Sequence, residues 1–70
     1  MNAPHHAVET KKLIVVDGKP YECTFDEYGV LNTVHDGRKL LSTKNRAVQR
    51  IINNADAILS GRLPNGMRFA

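Results

Sequence analysis

Seventy residues limit this chain to one small domain. Hydrophobic residues make up 41% of it, and two tyrosines and two phenylalanines are its only aromatics, so the apolar core must be small. These limits exclude a multidomain enzyme, a Rossmann or barrel scaffold and any site formed between two packed lobes. Ten lysines and arginines stand against seven aspartates and glutamates, a net charge of +3 that fits either ordinary solubility or attraction to an anionic partner.

Residues 1–10 predict a disordered arm, because they are small or polar, contain Pro4 and show no periodicity. His5 and His6 stand side by side with no cysteine or carboxylate at zinc-ligand spacing, so we expect no metal site. The longest apolar run, Leu13–Val16, is far too short to cross a bilayer, and the arm lacks the apolar stretch of a signal peptide. One cysteine cannot form an internal disulfide, so the sequence favours a cytoplasmic protein without membrane contact.

Residues 11–41 follow the pattern of an antiparallel β-meander. The pair Asp17-Gly18 between two apolar stretches is a strong hairpin signal, and Asp36-Gly37 repeats it. A four-residue turn at 26–29 separates the second strand from the third. Residues 38–41 then form a short fourth strand or lead directly into a helix.

The lengths of these turns assign the side chains of the meander to two faces. The first turn pairs Ile14 with Tyr21 and the four-residue turn pairs Phe25 with Val30, which places all four on one core face. The opposite face then carries aliphatic side chains that solubility does not require. Three explanations are open: a terminal segment covers them, the strand register differs from the predicted one, or they form an apolar face for dimerisation or for a partner. These residues are Leu13, Val15 and Leu31.

One amphipathic helix is predicted from about residue 43 to residue 60. Ser42 or Thr43 can cap its start, and Gly61 stands where a C-terminal glycine is favoured. Residues 62–70 form a tail that is either frayed or folded back onto apolar surface. The helix presents one apolar stripe to the core face of the sheet, made of Ala47, Val48, Ile51, Ile52, Ala55, Ile58 and Leu59.

The expected fold is therefore α+β, a three- or four-stranded antiparallel meander packed on one face by a single C-terminal helix. The domain spans residues 11–61, between an N-terminal arm at 1–10 and a C-terminal tail at 62–70.

No set of residues predicts catalysis. Cys23 is the one plausible nucleophile and His35 the one histidine within an element, and strand alternation places them on opposite faces of the sheet. The aspartates stand mostly in turns, and the glycines serve separate turns rather than one phosphate-binding loop. We expect neither enzymatic activity nor a cofactor.

Positive charge is the better functional lead. Arg46 and Arg50 lie four residues apart, on one face of the predicted helix, with Asn53 beside them. Arginine pairs with phosphates and with carboxylates, so nucleic acid and an acidic protein surface both fit. The candidate binding residues are Arg38, Lys39, Lys44, Arg46, Arg50 and Asn53.

The start of the helix, Ser42 to Ala47, resembles the start of the C-terminal helix in double-stranded-RNA-binding domains, where a serine–lysine–lysine sequence grips phosphate. Thr43 stands in place of one of those lysines, and residues 1–10 have no counterpart of that fold's first helix. The β-β-β-α order also resembles the sheet-type DNA-binding domains of integrases, whose open sheet face is basic and aromatic. Here that face carries residues such as Glu22 and Leu31, so the chain is assigned to neither family.

The leading hypothesis is a small non-enzymatic protein that docks on a larger macromolecular partner, as regulators and inhibitors encoded by phages or mobile elements do. The basic helix face, the apolar outer sheet face, or both make the contact, and a protein complex is the expected partner. The alternative is direct binding of DNA or RNA through the basic start of the helix. A homodimer through the apolar face is compatible with either function.

Overall fold

The computed structural model describes residues 9–70. Residues 1–8 of the predicted arm, which include both histidines, lie outside the described residues. The chain has an α+β fold, as its sequence predicts, and the first strand begins one residue before the expected domain boundary. The elements in chain order are β1 (Thr10–Val16), β2 (Lys19–Phe25), β3 (Leu31–Asp36), β4 (Lys39–Leu40), α1 (Arg46–Asn53), α2 (Ala55–Ser60) and β5 (Met67–Phe69).

The strands form one open antiparallel sheet in the order β4-β3-β2-β1-β5. The β1–β2 hairpin turns at Asp17 and Gly18, whose φ angles of 51° and 85° are the left-handed pair that a two-residue type I′ turn requires. This turn fixes the register, and Ile14 lies opposite Tyr21 as predicted. Two alternatives were predicted for residues 38–41, and the structure shows the first of them, a short fourth strand, β4.

The β2–β3 register differs from the prediction, because a β-bulge interrupts the ladder at Phe25. Phe25 lies opposite Leu31 rather than Val30, and Asn32 is the extra residue. Val30 belongs to the turn rather than to strand β3, because two hydrogen bonds join it to Asp26. The Asp26 N–H donates to the Val30 carbonyl (2.9 Å), and the Val30 N–H donates to the Asp26 carboxylate (2.9 Å). As a result Val30 is exposed, while Leu31, predicted on the outer face, packs against the core.

The single predicted helix is in fact two helices, which meet at Asn54. The Asn54 side chain donates to the Arg50 carbonyl (2.7 Å), the acceptor that its own backbone N–H would use in a continuous α-helix. That N–H donates to the Ile51 carbonyl instead, which tightens the last turn of α1. Gly61 ends α2 in the left-handed conformation at φ 80°, as predicted.

The helix cap lies later than the sequence suggests. Asn45, rather than Ser42 or Thr43, caps α1, and its side-chain oxygen accepts from the N–H groups of Ala47 (2.8 Å) and Val48 (3.2 Å). The Ser42 hydroxyl accepts a backbone N–H within the preceding turn, so it is not available to the helix.

The C-terminal tail folds back, which was one of its two predicted arrangements. Strand β5 pairs with β1, where Met67 lies opposite Val16 and Phe69 opposite Ile14. Met67 is buried in the core cluster. Because β5 adds a neighbour to β1, the first strand lies inside the sheet rather than at its edge.

Both helices contribute to one core on a single face of the sheet. Its buried members come from strands β1, β2, β3 and β5 and from both helices, and they are Ile14, Val16, Tyr21, Cys23, Phe25, Val34, Val48, Ile51, Ile58 and Met67. Within residues 9–70, neither helix has the length and apolar character needed to span a membrane.

Replacing Asn45 with alanine removes the cap of α1. We expect Asn45→Ala to lower the free energy of unfolding by about 1 kcal/mol, the usual loss for an N-cap amide. Thr43→Ala is the matched control and should change stability by less than about 0.5 kcal/mol, because the Thr43 side chain is exposed. Urea denaturation of the two variants measures the difference. Equal losses would show that Asn45 does not act as the cap.

Candidate functional site

Antiparallel pairing brings the β1–β2 and β3–β4 turns to the same end of the sheet. Helix α1 starts at this end as well, since Asn45 and Arg46 line a groove together with Val16 and Lys19. The fold therefore gathers six of the ten lysines and arginines here. We call this set the basic end, and it consists of Lys19, Arg38, Lys39, Lys44, Arg46 and Arg50.

Two carboxylates belong to the same end, and each is paired with a cation. Asp36 lies 2.8 Å from the Lys19 ammonium, and Asp17 lies 2.6 Å from the Arg50 guanidinium. The Asp36 carboxylate accepts a hydrogen bond from Lys19 and attracts its charge, which raises the pKa of Lys19. Sequence reasoning missed Lys19 as a site residue. Its place directly after the Asp17-Gly18 turn, and on the same strand face as Tyr21, was the available signal.

Arg50 serves the fold as well as the site. Its guanidinium binds the Asp17 carboxylate, and it also donates to the Asn65 carbonyl at 3.5 Å. A side chain at Gly66 would meet both partners, because an added Cβ would lie 2.9 Å from an Asp17 oxygen and 3.1 Å from an Arg50 nitrogen. The backbone N–H of Asp17 donates to the Gly66 carbonyl at 2.8 Å. Arg50 therefore joins α1, the first hairpin and the turn that precedes β5.

The other predicted helix side chains are unequally available. Arg46 is exposed and forms no ion pair or side-chain hydrogen bond with residues 9–70. Gln49, one turn from Asn45, is bound, because its side-chain amide donates to the Thr43 carbonyl. Asn53 is exposed at the far end of α1 and does not line the groove.

Three further predicted cations lie on the β3–β4 hairpin and on the segment between β4 and α1. Arg38 and Lys39 follow the β3–β4 turn, and Lys44 directly precedes the cap residue Asn45. All three are exposed, and within the described part of the chain none has a carboxylate partner. Together with Arg46 they form the part of the basic end that is open to a ligand.

The groove at the basic end has a volume of about 380 Å³, at the lower end of the range for ligand sites. The hairpin supplies one wall and the first turns of α1 supply the other. Its floor is apolar where Val16, Tyr21 and Ala47 meet, and its rim carries three cations and one carboxylate. The lining residues are Val16, Asp17, Lys19, Tyr21, Asn45, Arg46, Ala47 and Arg50.

The predicted apolar outer face does not form as a continuous surface. Leu13 is 50% exposed there, but Val15 is only 6% exposed, because Pro20 and Arg68 lie opposite it on the two neighbouring strands. The bulge turns Leu31 to the other side of the sheet. The expectation that these three aliphatic residues share one exposed face is therefore wrong.

Cys23 and His35 project from opposite faces of the sheet, as strand alternation predicted. Cys23 is fully buried opposite Val34, whereas His35 lies opposite Glu22 on the outer face. Burial raises the pKa of the Cys23 thiol from 9.0 to about 11. At neutral pH this thiol is protonated and behaves as a small apolar side chain. Among residues 9–70, no group of three metal-binding side chains occurs.

The chain matches no protein-family model and shows no significant similarity to curated proteins or to solved structures. The geometry and charge of the basic end are therefore the features that bear on function.

The bond between Asp17 and Arg50 can be measured by a double-mutant cycle. We expect Asp17→Asn and Arg50→Gln to show a coupling energy of about 0.5–1 kcal/mol, the range for a partly exposed ion pair. Asparagine tolerates the positive φ of Asp17, so the turn itself is preserved. Denaturation of the two single variants and the double variant gives the coupling. A value of zero would mean that Arg50 is free for a ligand.

The buried thiol predicts a stability change at alkaline pH. The unfolded thiol loses its proton near its ordinary pKa of 9.0, whereas the folded thiol loses it only near a pKa of about 11. The contribution of this group to the free energy of unfolding is therefore complete below pH 9 and is lost as the pH rises from 9 to 11. Comparing the native chain with Cys23→Ala isolates this group from the lysines and tyrosines. Above pH 9 the native chain should lose stability relative to Cys23→Ala. Parallel pH profiles would contradict the assignment.

Proposed function

We propose that this chain is a small non-enzymatic binding protein that docks, through its basic end, on an acidic surface of a larger protein complex. The observation that carries the proposal is the separation of charge along the sheet. Both carboxylates at the basic end are held in ion pairs, whereas Arg38, Lys39, Lys44 and Arg46 have no such partner within the described residues. Complementary charge of this kind steers association and selects the partner.

The opposite end of the sheet carries three carboxylates and two lysines. Glu9 directly precedes β1, Asp26 and Glu27 lie in the β2–β3 turn, and Lys11 and Lys12 stand at the start of β1. Glu9 accepts a hydrogen bond from Asn32 (3.0 Å), and Asp26 accepts two within its turn, so these carboxylates are held in place. A chain with this polarity approaches an acidic surface with its basic end leading.

A protein partner fits this surface better than nucleic acid does. Base reading from a helix needs free arginine, glutamine or asparagine side chains along one face. In α1 the Gln49 amide is bound to a loop carbonyl and Arg50 to Asp17.

A chain of this size acts by occupying a surface. We assign it the role of a regulator or inhibitor of the complex that it binds, of the type that phages and mobile elements encode, in the cytoplasm. The buried, single cysteine suits a reducing compartment.

Charge reversal outside the groove tests the proposal. Arg38→Glu combined with Lys44→Glu should abolish capture of a nuclease-resistant protein complex by the tagged chain from lysate of its own cells. Both side chains are exposed and unpaired among the described residues, so the fold should be retained. Arg62→Glu with Arg68→Glu makes the same change in net charge elsewhere on the surface and should leave capture intact. Equal capture by both double variants would refute the role of the basic end.

Direct binding of DNA or RNA remains the second candidate, because the four free cations suit phosphates as well as carboxylates. Nuclease treatment separates the two. If recovery disappears with nuclease, and the affinity of the purified chain for a DNA or RNA duplex falls steeply with added salt, nucleic acid is the partner.

A further inference from the structure

We infer that the groove at the basic end binds a carboxylate side chain of the partner, with an adjacent apolar side chain on the groove floor. This inference rests on the proposed function, and it names the chemistry that the partner must present. Two elements distant in sequence form the groove, the first hairpin and α1, so the site exists only in the folded chain.

The balance of charge indicates a ligand with one negative charge. Three cations line the groove, Lys19, Arg46 and Arg50. Asp36 neutralises Lys19 and Asp17 neutralises Arg50, which leaves the positive charge of Arg46 uncompensated. A guanidinium offers a planar pair of donors that matches a carboxylate, and the charge of one carboxylate equals the charge left over. A phosphate dianion carries more negative charge than Arg46 leaves uncompensated, and it would lie beside the Asp17 carboxylate.

Tyr21 supplies an independent observation. Tyr21 as a whole is only 8% exposed and lines the groove, but its hydroxyl is accessible to solvent and makes no hydrogen bond to any of residues 9–70. This hydroxyl is therefore free to bond a ligand in the groove. The hydroxyl can donate to a carboxylate oxygen while Arg46 holds the carboxylate from the helix side. Lys19, whose ammonium lies 5.8 Å from the centre of the Tyr21 ring, keeps the phenol beside the cationic rim.

The floor explains why an apolar neighbour is part of the ligand. Val16 from the strand and Ala47 from the helix both line the groove. With a volume of about 380 Å³, the groove accommodates a short segment rather than a folded surface. An acidic residue beside an apolar one, in an extended segment of the partner, satisfies both the rim and the floor.

The test uses the full chain and two blocked tripeptides, acetyl-Leu-Glu-Leu-amide and acetyl-Leu-Gln-Leu-amide, followed by amide NMR. The glutamate peptide should shift the signals of Val16, Asp17 and Ala47, and the glutamine peptide should bind about tenfold more weakly, because it lacks the charge-assisted hydrogen bonds. Tyr21→Phe and Arg46→Gln should each weaken the glutamate peptide by a similar factor. Arg62→Gln removes the same charge away from the basic end and should have no such effect, because Arg62 is exposed and does not line the groove.

Several results would overturn the inference. They are the absence of binding by the glutamate peptide, equal binding of the two peptides, equal losses in Arg62→Gln and Arg46→Gln, or inorganic phosphate shifting the same signals as strongly as the peptide. These outcomes are independent of the lysate experiment, whose charge reversals lie outside the groove. If Arg38→Glu with Lys44→Glu abolishes capture but no peptide binds, the docking function stands and the groove is not its site.

Discussion

The tight turn at Asp17 and Gly18 is the constraint on which the rest of the structure depends. Its two left-handed residues set the β1–β2 register, and that register places Lys19 and Tyr21 on the helix side of the sheet. The same turn holds the tail, through the bond from the Asp17 N–H to the Gly66 carbonyl, and holds α1, through the carboxylate and Arg50. One local conformation therefore positions both walls of the groove.

The elements that sequence reasoning predicted correctly are those encoded by local signals. The Asp-Gly turn, the register that follows from it and the glycine at the end of α2 each depend on residues close in sequence. The errors arose where a polar side chain competes for backbone groups. Asp26 binds the N–H of Val30 and forces a bulge, and Asn54 binds the Arg50 carbonyl and divides the helix. Composition and periodicity do not reveal which of these local bonds forms.

The candidate site was predictable in composition but not in arrangement. The free cations Arg38, Lys44 and Arg46 were named from the sequence, and the structure brings them to one end. The ion pair of Arg50 joins residues 33 positions apart, so no local sequence pattern could predict it. The predicted apolar outer face is wrong for one long-range and one local reason. Val15 is covered by β5, which comes from the tail, and Leu31 is turned inward by the bulge.

The charge layout links binding to the stability of this small fold. Cations gathered at one end repel one another in the free chain, and two carboxylates offset only part of that repulsion. The acidic partner proposed above would offset the remainder, and only in the folded chain, because the unfolded chain disperses these residues. Ligands that bind the native state alone stabilise it by mass action. A domain with so small a core, whose own stability is expected to be modest, gains most from such a contact. The surface that weakens the isolated domain is thus the surface through which a partner would stabilise it.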